Sequence, residues 1–187
     1  MVAAPSGAGK SSLVNAFLER NHNWSLSIST TTRSPRPGEV NGREYFFVAL
    51  TEFESRIARG DFLEWARVHG NLYGTSKDWI QAQLAECKNI ILEIDWQGAQ
   101  QIRRIFSNSK QGVRPVSVFI LPPSVSVLGE RLRARGQDSE VVIAERLAAA
   151  EEEISHANEF DYVIINQDFS NALCEFEVFA NQLLNSD

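Results

Sequence analysis

Four short runs of apolar and branched residues, each followed by a segment with helical spacing, constrain this chain more than anything else in it. They are "MVAA" before "KSSLVNAFLER", "NIILEI" (89–94) before "WQGAQQIRRIF", "PVSVFIL" (115–121) before "SVSVLGERLRAR", and "DYVII" (161–165) before "FSNALCEFEVFANQLL". A strand buried on both faces reads as a continuous apolar run, and its parallel neighbour is reached through a crossover helix. The pattern predicts an α/β protein with a parallel sheet covered by helices. "WSLSIS" (24–29) is a candidate fifth strand. Two segments depart from the pattern. Between about 30 and 85, "REYFFVAL", "DFLEWARV" and "GNLYGTS" are separated by Gly, Asn and one helical stretch, "TEFESRIARG", which predicts a small inserted antiparallel sheet. At 136–153, "GQDSEVVIAERLAAAEEE" is a turn leading into a long helix with no strand between. We expect one domain over 1–187, with its core at about 1–29, 86–130 and 155–187, the insert at about 30–85 and a helical lid at about 131–154.

The link between the first strand and its helix is "APSGAGKSSL". The pattern GxxxxGK[ST] works because backbone N–H groups of a tight loop point inward at phosphate oxygens, the lysine reaches the β/γ-phosphates, and the next hydroxyl binds Mg²⁺. Ala4 stands where the first glycine is usual, followed by Pro5, Ser6, Gly7, Ala8, Gly9, Lys10, Ser11 and Ser12. Position 4 ends a strand, where alanine adopts extended angles without strain, so the mechanism survives the exchange. The alternative is a Gly/Ser turn that merely precedes a lysine; strand, loop and helix in the required order argue against it. "MVAA" is thin for a central strand, which leads us to expect residues ahead of Met1 or an unusual start.

A formal net charge of -6 and a pI near 5.2 disfavour nucleic acid and anionic membranes as partners, so any bound anion must be held by a local cluster of cations. Cys87 and Cys174 form no CxxC pair and read as reduced thiols of a cytoplasmic protein, with one long-range disulfide as the alternative. His22, His69 and His156 lack ligand spacing for zinc. No run of 18 apolar residues and no secretory leader is expected.

A phosphate loop does not name the acceptor. "SISTTTRSPRPGEVNGREYFF" holds Arg33 and Arg36 on a segment that Pro35 and Pro37 keep out of regular helix. Two forked guanidiniums on a stiff loop suit a second phosphate, and Tyr45 and Tyr73 supply phenolic hydroxyls. The same stretch by itself also fits a solvated basic loop.

Taken with "FLEWARVHGNLYGTS", "ILEIDWQGAQQI", "FILPPS", "RLRARGQDSEVVIAERL" and "FDYVIIN", this segment closely resembles the guanylate kinase family, bacterial type, over nearly the whole chain. The resemblance implies a P-loop NTPase-like parallel core, an inserted mixed α/β GMP-binding subdomain, a helical lid, and transfer of the γ-phosphoryl of ATP to GMP with Mg²⁺. It places Ser29, Glu64, Thr75 and Asp95 around the guanine, and Arg33, Arg36, Tyr45 and Tyr73 around the GMP phosphate. Guanine presents N1–H and an N2 amino group as adjacent donors, and a carboxylate such as Glu64 accepts from both. Adenine lacks both donors. "NIILEID" ends in acid, as does the phosphate-loop element whose Asp helps hold Mg²⁺; alternation puts Glu93 and Asp95 on one face, and either remains a candidate for the metal side.

Phosphoryl transfer needs alignment and positive charge around the moving group. The lid segment offers Arg131, Arg135 and Arg146 for that purpose, whereas Arg133 points elsewhere and reads as a surface residue. A salt-bridged surface helix is the alternative, given Glu130, Glu140 and Glu145. Gly136 breaks the helix, which restarts near Asp138 or Ser139 as N-cap. The resemblance sets Asn166 near the adenine. No general base stands out and none is needed, because the GMP phosphate is already ionised near pH 7. Small molecules, ATP and GMP, are the expected partners of a monomer or homo-oligomer. The alternatives are a kinase with another phosphorylated acceptor, and a non-catalytic guanylate kinase-like module that binds phosphopeptides.

Overall fold

The computed structural model describes residues 1–68, 70–107, 115–134, 136 and 139–184. Arg135 and Asp138, both singled out above, lie outside the described residues. The chain forms two compact units: Met1–His22 with Glu93–Trp96 and Val116–Asp187, and Asn23–Leu92 with Gln97–Pro115.

In the first unit, β1 (Val2–Ala3), β8 (Val118–Leu121) and β9 (Tyr162–Ile165) form a parallel sheet in the order β1-β8-β9. A parallel bridge from Val2 to Glu93 continues the pairing on the other side of β1. Val2, Ala3, Val118, Phe119, Ile120 and Ile164 are all in the core, but in β9 the run expected to be buried throughout alternates, and Val163 and Ile165 are exposed because that strand is at the end of the three-stranded order. Helices α1 (Lys10–Arg20) and α7 (Phe169–Leu184) pack on one another, with the Phe17 and Phe176 rings 4.8 Å apart. Helix α5 (Val125–Ala134) ends before Gly136, which has φ 62°, and Ser139 caps α6 (Glu140–Ser155) by accepting the Val142 N–H at 3.4 Å. Leu128 and Leu132 of α5 meet Ile143, Leu147 and Ala150 of α6 in a small core of their own.

The second unit contains the other core-type strands and the insert. β2 (Trp24–Leu26) pairs in parallel with β7 (Asn89–Ile91), so "WSLSIS" does supply a fifth parallel strand. A four-stranded sheet runs β4-β3-β6-β5, where β3 is Thr30–Thr31, β4 Phe46–Phe47, β5 Phe62–Val68 and β6 Asn71–Ser76. Its β3–β6 and β5–β6 pairs are antiparallel as expected, but β3 and β4 run parallel. The reason is the long excursion through residues 32–45, which carries the chain back to the sheet in its original direction. "TEFESRIARG" folds as α2 (Leu50–Arg59), and α3 (Lys77–Ala85) follows β6. α4 (Trp96–Ser107) has a buried face at Gly98, Ala99 and Ile102. Among the described residues no helix is long and apolar enough to cross a membrane.

Phe53 stacks on Phe62 at 4.5 Å under the four-stranded sheet, beside Leu72. Gly74 lies against this pair with no room for a side chain: a Cβ there would sit 2.9 Å from Phe62 Cδ1 and 3.1 Å from Phe53 Cζ. Gly74→Ala is expected to destabilise the protein by about 1–3 kcal/mol through overpacking, read as a lower denaturation midpoint in urea.

Candidate active site

The loop between β1 and α1 is shaped by two glycines. Gly7 and Gly9 have φ of 94° and 95°, a region that L side chains rarely adopt. A Cβ at Gly9 would in addition run into the Asn166 side-chain amide. That amide, buried at the end of β9, donates from Nδ2 to the Ala8 carbonyl at 2.8 Å. Arg131 of α5 donates to the same carbonyl at 3.4 Å and to the Asn166 carbonyl at 2.9 Å. The Ala8 carbonyl is thereby held by two donors, and the loop ends at the N-terminus of α1, where the helix dipole favours an anion. Asn166 and Arg131, expected near the adenine and the moving phosphoryl respectively, both hydrogen-bond to this loop carbonyl.

Lys10 donates from Nζ to the Ile94 carbonyl at 3.0 Å and stands 3.9 Å from a Glu93 carboxylate oxygen. The Ser11 hydroxyl also donates to Glu93. Of the two acids that the sequence left open for the metal side, Glu93 is therefore the one beside the loop lysine and serine. Asp95 instead exerts its charge on Glu153. Ser12 is exposed at the start of α1.

Glu153 was not foreseen. It sits near the C-terminal end of α6, and its Oε2 accepts the Ser6 N–H of the phosphate loop at 3.3 Å. Burial pushes its carboxyl up to about 7; Asp95 and Glu152 add to this, while the Ser6 N–H and the Lys10 ammonium oppose it. The only sequence signal is helical phase, since residue 153 lies three after the buried Ala150 and seven after Arg146. Arg146 is half-buried on the same helix. Arg133 pairs with Glu140 at 3.1 Å on the exposed side of the lid segment, as its spacing predicts.

The remaining candidates, Asp95 excepted, belong to the second unit. Glu64 on β5 and Thr75 on β6 are directly opposed in the sheet and both buried. The Thr75 hydroxyl donates to Glu64 Oε1 at 2.5 Å. A register shift in β5 falls between Phe62 and Glu64, immediately before the acid; such shifts re-aim side chains. Ser29 is half-buried just before β3 and its carbonyl accepts the Phe46 N–H at 2.9 Å.

Arg33, Tyr45 and Tyr73 gather in one place. The Arg33 guanidinium lies 5.4 Å from the Tyr45 ring centroid, and the Tyr45 and Tyr73 rings meet edge-on at 5.9 Å. Glu39, another residue that the sequence reading passed over, closes the group. Its carboxylate receives both oxygens' worth of hydrogen bonds from Arg33 Nη2, at 2.8 and 2.9 Å, and the Arg36 N–H at 2.7 Å. Burial works against its ionisation, but the Arg33 hydrogen bond, the Arg36 N–H and the two guanidinium charges outweigh it and hold the carboxyl below its ordinary value. The Arg36 side chain itself is exposed.

A family model described as guanylate kinase matches residues 1–183. The chain belongs to the guanylate kinase family. A curated guanylate kinase of Cupriavidus metallidurans is 58% identical over 177 residues, which is 95% of this chain and 79% of that protein. One from Idiomarina loihiensis is 55% identical over 179 residues, covering 95% and 82% respectively. Among solved structures, guanylate kinase from Anaplasma phagocytophilum superposes with a TM-score of 0.76 at 32% identity, over 97% of this chain and 82% of that one. The phosphate-loop α/β fold expected from the four apolar runs is thus that of the family.

The raised Glu153 carboxyl has a consequence for stability. The folded protein holds this proton more tightly than the unfolded chain, so this group's contribution to stability is full below the ordinary carboxylate range and is lost as pH rises through about 7. The loss is on the order of 1–3 kcal/mol. Glu153→Gln is expected to remove that slope and to melt higher than the parent at pH 8, measured by thermal unfolding of both proteins across pH 5–8.

Proposed function

We infer that this chain transfers the γ-phosphoryl of ATP to GMP, giving ADP and GDP. The observation that carries the reading is the buried Glu64–Thr75 pair in a protein that also holds a complete phosphate loop. The Thr75 hydroxyl holds Glu64 Oε1 in place, and an ionised carboxylate is an acceptor-only group that suits two adjacent donors. Guanine N1–H and the N2 amino group are such a pair on one edge. Adenine would leave the buried carboxylate poorly satisfied, which is the kind of mismatch that discriminates strongly.

On this reading Ser29, Glu64, Thr75 and Asp95 receive the base, and Arg33, Arg36, Tyr45 and Tyr73 receive the GMP phosphate. Backbone N–H groups of the Ala4–Ser12 loop hold the ATP phosphates, Pro5 having none to give and that of Ala8 going to the Pro5 carbonyl; Lys10 neutralises charge at the β/γ position, and Asn166 is the residue proposed near the adenine. Mg²⁺ fits the donor set: the Ser11 hydroxyl and the Glu93 carboxylate are hard oxygens side by side at the loop. Among the described residues no cluster of three or more His, Cys, Asp or Glu forms a dedicated cage, in keeping with an ion held largely by phosphates and water. When bound, it would neutralise charge on the phosphate oxygens. Arg131 and Arg146, with Arg135, are proposed to stabilise the charge that spreads over the transferring group. The acceptor oxygen is already ionised, so no residue is assigned as general base.

Both cysteines are free and exposed, which fits a reducing compartment, and a cytoplasmic monomer or homo-oligomer is part of the same proposal.

ADP release measured with GMP, AMP, CMP and dTMP tests the reading. GMP is expected to be strongly preferred, and turnover of AMP or dTMP at a comparable kcat/KM would overturn the guanine assignment. Lys10→Ala should abolish turnover. Glu64→Ala should raise KM for GMP by about 10- to 100-fold, the worth of hydrogen bonds to a charged group, and relax the choice of base.

A further inference from the structure

The phosphate loop is touched by a carboxyl group from outside it. Glu153 reaches from α6 to accept the Ser6 N–H at 3.3 Å, one of the groups that a nucleotide phosphate would use. It also lies within the field of Lys10, the cation meant for the same phosphates. A carboxylate and a phosphate oxygen make the same demand on a backbone N–H and on an ammonium, so they cannot both be satisfied there. We propose that Glu153 is an internal competitor for the ATP phosphates: it occupies the loop in the nucleotide-free enzyme, is displaced when ATP binds, and thereby sets the affinity for the phosphoryl donor. This deepens the donor-site reading above and rests on it.

The surroundings favour displacement over permanent attachment. Glu153 is met by Lys10 from α1, by Asp95 from the segment after Glu93, and by Glu152 on its own helix, while Ala4–Gly9 contribute no charged side chain. Of these neighbours only Lys10 is a cation, and it also stands 3.9 Å from Glu93. Burial and this crowding make the ionised form costly, and its carboxyl is already lifted to about 7. Competition is therefore strongest above that pH, when the group is charged, and weakest below it, when a protonated carboxyl resembles an amide. The cluster is built from the end of α6 and not from the loop, so the competitor leaves only if that part of the helix or the Glu153 side chain moves away from Ser6.

Equilibrium titration of the wild-type chain, Glu153→Gln and Glu153→Ala with ATP and magnesium at pH 6 and pH 8 tests the proposal. Both variants should bind ATP about tenfold more tightly than wild type at pH 8, with the gap shrinking at pH 6, and KM for GMP should not change. A residue that only supported the loop would give the opposite sign, because its loss would weaken ATP at both pH values. Equal or weaker ATP binding by both variants at pH 8 overturns the proposal, and two variants guard against one failing to fold. Lys10→Ala separates this from the underlying reading. If Lys10→Ala loses ATP while the Glu153 variants bind no tighter, only the competition is wrong. If Lys10→Ala keeps ATP, the loop is not the donor site and both readings fall.

Discussion

The phosphate loop depends on where one carbonyl points. N–H groups attract an anion best where nearby carbonyls are satisfied by other donors, and Ala8 is one such position. Its oxygen is held by the Asn166 amide, from the end of β9, and by Arg131, from α5. Gly9 adopts its positive φ directly beneath the amide, where any side chain would collide. Parallel strands, the helix after β8 and the loop itself thus converge on a single peptide group. The last strand of the sheet, remote in sequence from the loop, ends in the residue that holds the loop's Ala8 carbonyl.

The same economy governs the acids. Glu93 engages the Ser11 hydroxyl and faces Lys10, so the end of "NIILEI" meets the start of α1 because the Val2–Glu93 bridge holds those backbones together. In the second unit, Glu64 and Thr75 meet because the β5–β6 register pairs them. Neither arrangement needs a long-range device beyond strand pairing. Sheet register delivers each carboxylate to its hydroxyl partner.

Much of this was legible beforehand. Burial on both faces forces a strand to be apolar throughout, so Val118–Leu121 announced itself; Tyr162–Ile165 was equally apolar in sequence although only Ile164 is buried, and the loop advertised itself through Gly7, Gly9 and Lys10. Glu64 and the Arg33–Tyr45–Tyr73 group came from long, specific motifs. What stayed hidden was of two kinds. The parallel β3–β4 pairing depends on how the 32–45 excursion returns, and local composition does not encode a return direction. Glu39 and Glu153 look in sequence like ordinary solvated acids, one in a Pro–Gly turn and the other in a run of three glutamates. Their importance comes from what lies opposite them in space. Of the tryptophans read as packing residues, Trp96 stacks on His156 at 3.6 Å, whereas Trp65 is partly exposed and offers its backbone N–H to Gln101.

Glu39 ties the Arg33 guanidinium and the Arg36 N–H to one carboxylate. An anion that approached this loop would exchange one negative partner for another, so its own charge would gain it little. Only a ligand with a second point of attachment elsewhere would come out ahead in such an exchange.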